Sequence, residues 1–383
     1  MDKWKVYLVI VAIPLLGGSA ASLLRVIIAF TLRDLGISVF EIGLLSSAFM
    51  LSRAIFSPIL GHLADRGFKR HILISLGFMG LLVDSQLYLH MPYTGVLILR
   101  TLDGIFGAMV WPTMQAMVHF SSPKDLRARI MSLYFVMGSV GMSLGYLLYS
   151  YIIGNISYAL ILIATIYLIE FGLGFGFREG KTQKKTVKRH GIEKRPEIAL
   201  MSITFLFGMY MSLGNEVLLF YLSEILNLGR ILSTMTIFLS GIVALIGSIF
   251  LGHIADKKSF HASLFLLGII APLSALMIAV NYVPVAIAGT VLFFIAGRGF
   301  MPISRSFTAS TSKEIGASLG FINLASNMGS MIGPLVGGYA MDMTGNEKLG
   351  FVNLSAVTFI VVGTSIFLVS LLMMRKYQED VHS

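Results

Sequence analysis

Residues 61–70 read GHLADRGFKR, and residues 252–261 read GHIADKKSFH. Both begin Gly-His-[Leu/Ile]-Ala-Asp, stand 191 positions apart in a chain of 383 residues, and follow long apolar runs. A charged phrase repeated half a chain apart marks an internal duplication.

The apolar runs identify the solvent. The chain is 56% hydrophobic and only 13% charged, where soluble domains carry roughly a quarter charged residues. Its mean hydropathy is +0.84. Stretches 6–24 (VYLVIVAIPLLGGSAASLL), 156–177 (ISYALILIATIYLIEFGLGFGF) and 351–374 (FVNLSAVTFIVVGTSIFLVSLLMM) each approach or exceed the ~20 residues that cross hydrocarbon. The start, with Lys3 and Lys5, an apolar run and then GGSAAS at 17–22, has the outline of a secretory leader. The apolar pattern resumes at once with LLRVIIAF, so residues 1–32 are read as the first span. Cysteine is absent from the sequence, which removes disulfides, thiolate metal sites and cysteine nucleophiles from consideration.

Reading apolar stretches between polar breaks gives twelve spans. Six lie at 6–32, 38–62, 70–90, 93–118, 128–152 and 155–177. Six more lie at 198–225, 230–254, 260–280, 283–307, 316–341 and 350–374. The polar segment REGKTQKKTVKRHGIEKRPE at 178–197 separates the sets. The expected organisation is an N-terminal six-helix bundle over 1–178, a basic linker over 179–197 and a C-terminal bundle over 198–383. Both GH[L/I]AD copies then fall in the loop between the second and third helix of their half. This is a parallel repeat of the kind found in alternating-access carriers.

Charge sets the expected orientation. With these spans, 21 of the 29 Lys and Arg residues fall on one side, including eight in the polar segment 178–197. Arg33, Arg230 and Lys348 fall on the other. Both termini and the linker are therefore expected in the cytoplasm of a multi-pass cell-membrane protein. The net charge of +10 is a topology signal with some attraction to anionic lipid headgroups, and needs no nucleic acid to explain it.

Two further motifs stand inside spans. RTLDGIFGA at 100–108 places Arg100 and Asp103 three apart on one helix, followed by Gly104. GSMIGPLVGG at 329–338 spaces Gly329, Gly333 and Gly337 by four, with Pro334 and Gly338 beside them. Small residues at that spacing allow close helix approach, and the proline bends the span.

Together with the loop phrase, these residues make the chain resemble the major facilitator superfamily, most closely its drug/metabolite proton antiporter branch. Gly61, Asp65, Arg66 and Arg70 match the family's loop signature, although Gly67 stands one place early and Phe68 replaces the second glycine. The second copy keeps Gly252, Asp256 and Lys257. The resemblance implies an all-α membrane protein with twelve transmembrane helices in two six-helix bundles, related by a pseudo-two-fold axis. It also implies that Asp65 and Arg66 belong to an inter-helix gate network and that Arg100 takes part in proton transfer. A tight turn between spans needs glycine and soluble residues in any case, and that plainer reading competes more evenly at Asp256. The glycine motif is associated with antiporters when it lies in the fifth helix; here it lies in the eleventh. The fifth reads GMSLGYLLYS, keeping Gly141 and Gly145 but with Tyr146 where Pro334 would stand. Helix packing is therefore the preferred role for Gly329, Gly333, Pro334, Gly337 and Gly338.

Ionisable residues at membrane depth are functional candidates by default. They are Arg25, Arg53, Asp84, Arg100, Asp103, Glu170, Glu216, Arg298 and Arg305. The 191-residue offset maps Arg25 onto Glu216, so the first helix of each half carries opposite charge at equivalent depth. The two are expected either to face each other across a central cavity or to pair within their own halves. Glu216, then Asp103, then Asp84 are the candidate coupling carboxylates. Trp111 beside Pro112, with Tyr134, Phe135, Tyr210, Tyr221 and many Met residues, would line an adaptable apolar pocket or simply pack against helices.

The expected function is a secondary active transporter moving a small organic solute by alternating access. Few cavity charges and a large apolar interior favour proton-coupled, multidrug-type efflux of amphiphiles by antiport. The alternative is a carrier of an anionic metabolite, proton-coupled or uniport, served by Arg25, Arg100 and Arg298. The scattered His residues have no metal-ligand spacing, and no Walker A phrase is present, so neither an enzyme nor an ATP-driven pump is expected. No cofactor is expected beyond protons as coupling ion; the partners are a small solute and membrane lipid, and the protein is expected to be a monomer.

Overall fold

The structure, a computed structural model, describes residues 8–66, 68–122, 127–153, 155–176, 198–257, 260–311 and 315–382. The linker 179–197 and the side chains of Asp65 and Asp256 lie outside the described residues.

Twelve long helices account for nearly all of it. They are α1 (Ile13–Asp34), α2 (Val39–Asp65), α3 (Arg70–Leu87), α4 (Tyr93–Ser121), α5 (Arg127–Ile152) and α6 (Ile156–Gly176). The second set is α7 (Ile198–Leu213), α8 (Gly229–Lys257), α9 (Phe260–Ala279), α10 (Val283–Thr311), α11 (Ile315–Thr344) and α12 (Val357–His382). Eleven membrane-length apolar spans are present among the described residues. The remaining helix is α11, which is 30 residues long but rich in Gly, Ser and Asn, so its apolarity is diluted by the residues that let it pack closely. In lipid every backbone amide must be satisfied within its own segment, and a set of long helices does this.

The chain divides into two compact units, Met1–Gly36 with Ala48–Lys188, and Ile37–Ser47 with Arg189–Ser383. Each repeats the other's internal arrangement. In the first, α1 packs on α5 and α6, while α3 packs on α4 and α6. In the second, α7 packs on α11 and α12, while α9 packs on α10 and α12. The duplication written in sequence is thus also a duplication of packing.

Three local expectations change. The GH[L/I]AD phrases do not lie in loops: Gly61–Asp65 ends α2, and Gly252–Asp256 lies in the last turns of α8. A helix continues past hydrocarbon because its last carbonyls remain best satisfied along the helix until water is available. The seventh span is interrupted. After Leu213 the chain makes a Gly214–Asn215 turn, resumes as a helical turn over Glu216–Phe220 and passes into a π-helical turn over Tyr221–Ile225. The twelfth span begins late. Residues 348–353 form a small antiparallel hairpin, Lys348–Leu349 with Val352–Asn353, turning at Gly350 with φ +62°. The Asn353 side chain then accepts a hydrogen bond from Ser355 N at 3.0 Å, starting a 3-10 turn into α12.

Candidate functional site

In the N-terminal unit, α4 brings Arg100 and Asp103 together as the three-residue spacing requires. Arg100 Nη1 donates to Asp103 Oδ2 at 3.0 Å, and both side chains are buried. The hydroxyl of Tyr88, from the 3-10 turn after α3, donates to the same oxygen at 2.6 Å. On the other side the Arg100 guanidinium stands 4.8 Å from the centre of the Phe49 ring on α2, a cation–π contact. The charge on Arg100 is therefore met by a carboxylate and a ring. A buried pair of this kind contributes little net stability while intact, yet removing one member leaves an uncompensated charge.

Asp84 on α3 is 4% exposed, and its Oδ2 has no hydrogen-bond partner among the described residues. It lies within electrostatic reach of Asp103. Trp111 on α4 stands edge-on to Phe78 of α3, with ring centres 6.3 Å apart. Arg25 is half-buried on α1. It belongs to this unit, whereas Glu216 belongs to the other.

In the C-terminal unit, the break in α7 positions Glu216. The carboxyl is 3% exposed and begins the helical turn after Asn215. Ser46 Oγ, from the first third of α2, donates to Glu216 Oε1 at 2.6 Å. Nearby, Ser47 Oγ donates to the Met331 carbonyl at 2.6 Å. The glycine row of α11 explains how the helices come so close. Gly329 lies on the Phe205 carbonyl, and a methyl added at Gly333 would stand 2.5 Å from the Met209 carbonyl. Gly338 meets the backbone of Phe40 in the same way. The α11 backbone at its proline also abuts α2, since a methyl on Gly43 would stand 2.5 Å from the Pro334 carbonyl.

Arg298 on α10 donates to the Gly241 carbonyl of α8 at 2.5 Å and stands 5.6 Å from the centre of the Phe294 ring. Tyr210 bonds Ser274 of α9, and Tyr221 donates to the Ile278 carbonyl at 2.8 Å. Both tyrosines thereby fasten the α7 segment to α9. At the ends of the GH[L/I]AD phrases, Gly61 and Gly252 have no neighbour within 4 Å of an added methyl, Arg66 is exposed, and Arg70 at the start of α3 is buried.

Sequence reading missed Ser46, Tyr88 and Asp342, whose carboxylate caps α2. Single polar residues within apolar runs carry no periodic signal, and each finds its partner only through the fold. Among the described residues no group of three or more His, Asp or Glu side chains is arranged to hold a metal ion.

A helical bundle this apolar, with its few charges gathered at helix breaks and buried pairs, defines a polytopic membrane carrier. The sequence model described as Major Facilitator Superfamily matches residues 10–334, and the chain belongs to that family. It is a transporter, not an enzyme. The quinolone resistance protein NorA of Staphylococcus aureus (strain COL) is 25% identical over 370 residues, which cover 90% of each protein. Among solved structures, a point mutant of the nucleoside transporter NupG superposes with a TM-score of 0.78 at 11% identity, covering 97% of this chain and 99% of that one. A bacterial homologue of the human lysosomal transporter Spinster, in its inward-facing and unoccupied conformation, gives 0.71 at 15% identity, covering 98% and 95%. The two structural likenesses establish the fold.

Proposed function

We propose that this protein is a secondary active transporter that exports amphiphilic organic compounds by alternating access in exchange for protons. It works as a monomer in the cell membrane with both termini and the linker in the cytoplasm. The observation that carries this reading is Glu216, a carboxyl 3% exposed at a break in a membrane helix and held by the Ser46 hydroxyl. A group so placed binds a proton or a cation when its surroundings rearrange. Arg25, at the duplicated position of the N-terminal unit, and the carboxyls Asp103 and Asp84 serve as further ionisable groups within that unit. Trp111 contributes an apolar wall for the substrate. The Asp65–Arg66 phrase, with Arg70, gates the cytoplasmic side, and Asp65→Asn should slow transport without loss of membrane expression.

Similarity to NorA over most of both chains supports the efflux reading. The anion-carrier reading loses two of its three arginines: Arg100 is engaged by Asp103, and Arg298 by a carbonyl and a ring. The test is reconstitution in lipid vesicles with an imposed pH gradient, comparing ethidium with organic anions. Gradient-driven movement of ethidium supports the proposal; movement indifferent to pH removes proton coupling from it.

A further inference from the structure

Glu170 has no part in the sites above. It sits on α6, six residues before the helix ends at Gly176, with none of its surface exposed. Neither Oε1 nor Oε2 has a hydrogen-bond partner among the described residues.

Its surroundings are backbone and aromatic carbon. On α1, a methyl placed at Gly17 would stand 2.8 Å from Glu170 Oε1, 3.2 Å from Oε2 and 2.8 Å from Cη2 of Trp111. The Gly17 amide approaches the carboxyl. Phe78 of α3 extends this wall, edge-on to Trp111 and 6.5 Å from the Tyr167 ring, one turn back along α6. Tyr167 on its own helix and Tyr134 on α5 lie in electrostatic reach of Glu170. The Tyr134 hydroxyl is buried and itself lacks a hydrogen-bond partner among the described residues. Charged groups stand behind these tyrosines: Arg53 of α2 acts on Tyr134, while Arg25, Arg100 and Asp103 act on Tyr167.

A full negative charge on Glu170 would have no hydrogen-bonded donor and no ion-paired cation against it among the described residues, which low-dielectric surroundings penalise severely. A proton on either oxygen removes the penalty. Between Gly17, Trp111 and the carboxyl oxygens there is less room than a methyl group needs. We propose that Glu170 is a proton-binding site of the N-terminal unit, loaded while α1 and α6 are packed as seen here and unloaded when their contact at Gly17 opens to water. Gly17 is part of this site, since only a residue without Cβ lets the α1 backbone close over the carboxyl. In the proposed orientation both residues lie toward the cytoplasmic ends of their helices, where an inward-moving proton is released. That coupling step rests on the transport reading; the bound proton does not.

Infrared spectroscopy of the purified full-length protein in lipid vesicles at neutral pH tests the bound proton directly. The wild type should show the carbonyl stretch of a neutral carboxylic acid, and Glu170→Gln and Glu170→Met should both lose the Glu170 component. The Met variant places an apolar chain in an apolar site and so preserves the fold if the Gln amide disturbs it. An unchanged band in either folded variant overturns the proposal. Ethidium movement under an imposed pH gradient tests the unloading step: both variants should lose part of the wild type's pH response. A lost band with an unaltered pH response overturns that step. If the wild type moves ethidium under no gradient, the transport reading fails and the infrared result still decides the proton site.

Discussion

Asp342, near the end of α11, holds the first turn of α2: its Oδ2 accepts from Phe40 N at 2.7 Å and its Oδ1 from Val39 N at 3.0 Å. A helix start leaves its first amides without intrahelical partners. Here Ser38 and Glu41 satisfy others through a capping box. Ser38 N donates to Glu41 Oε2 at 3.0 Å, and Glu41 N donates to Ser38 Oγ at 3.2 Å. Val39 and Phe40 then depend on a residue 302 positions or more away. Replacing Asp342 with Ala should cost the α2 start about 0.5–2 kcal/mol, the usual worth of a cap. Hydrogen–deuterium exchange of the peptide covering residues 38–45 would then accelerate; exchange as slow as in the wild type would show that the cap is idle.

Glu216→Gln keeps the shape of the side chain and its contact with Ser46 while removing the ionisable group. Gradient-driven ethidium accumulation should be lost, with downhill equilibration retained. Ser46→Ala removes the hydrogen bond alone, a contribution of about 1.5–3 kcal/mol if the carboxylate is ionised, and should move the pH profile of transport without abolishing it. Wild-type profiles in both variants would take this pair out of the mechanism.

Breaking the Arg100–Asp103 pair should be costly in an asymmetric way. Arg100→Ala leaves Asp103 buried without its ion partner, and about 3–5 kcal/mol of stability should be lost. The double variant Arg100→Leu with Asp103→Leu should recover most of that loss, because no charge is left uncompensated. Thermal unfolding in detergent measures both; equal destabilisation in the single and double variants would contradict the buried-pair account.

The α7–α11 contact has no spare volume at Gly333, where an added methyl would meet the Met209 carbonyl at 2.5 Å. Gly333→Ala should destabilise the C-terminal unit by about 1–3 kcal/mol through overpacking. The same change at Gly252, which has open space around it, should leave thermal stability near wild type. Similar losses at both positions would refute the close-approach reading.

Legibility in the sequence followed the range of the interaction. The repeated GH[L/I]AD phrase and the apolar runs revealed the twelve helices and the duplication, because span length and helix period are local properties. Arg100 and Asp103 were readable as partners for the same reason, being three apart on one helix. The break in α7 at Gly214–Asn215 was hidden inside a continuous apolar run, since glycine and asparagine also occur within unbroken membrane helices. The late start of α12 was hidden likewise, because Phe351 and Val352, which precede the helix, read as the beginning of its apolar run.

By itself, then, the sequence determined what each segment is, a membrane helix of sufficient length, and the family whose motifs the chain carries. Only the tertiary structure decided which polar atoms meet. Asp342 caps α2, Ser46 holds Glu216, Tyr88 completes the Asp103 pair, and Gly17 leaves Glu170 enclosed without a hydrogen-bond partner among the described residues. In an apolar interior such a contact is specified by where two helices cross, and a crossing is set by the packing of many small residues together rather than by any one of them.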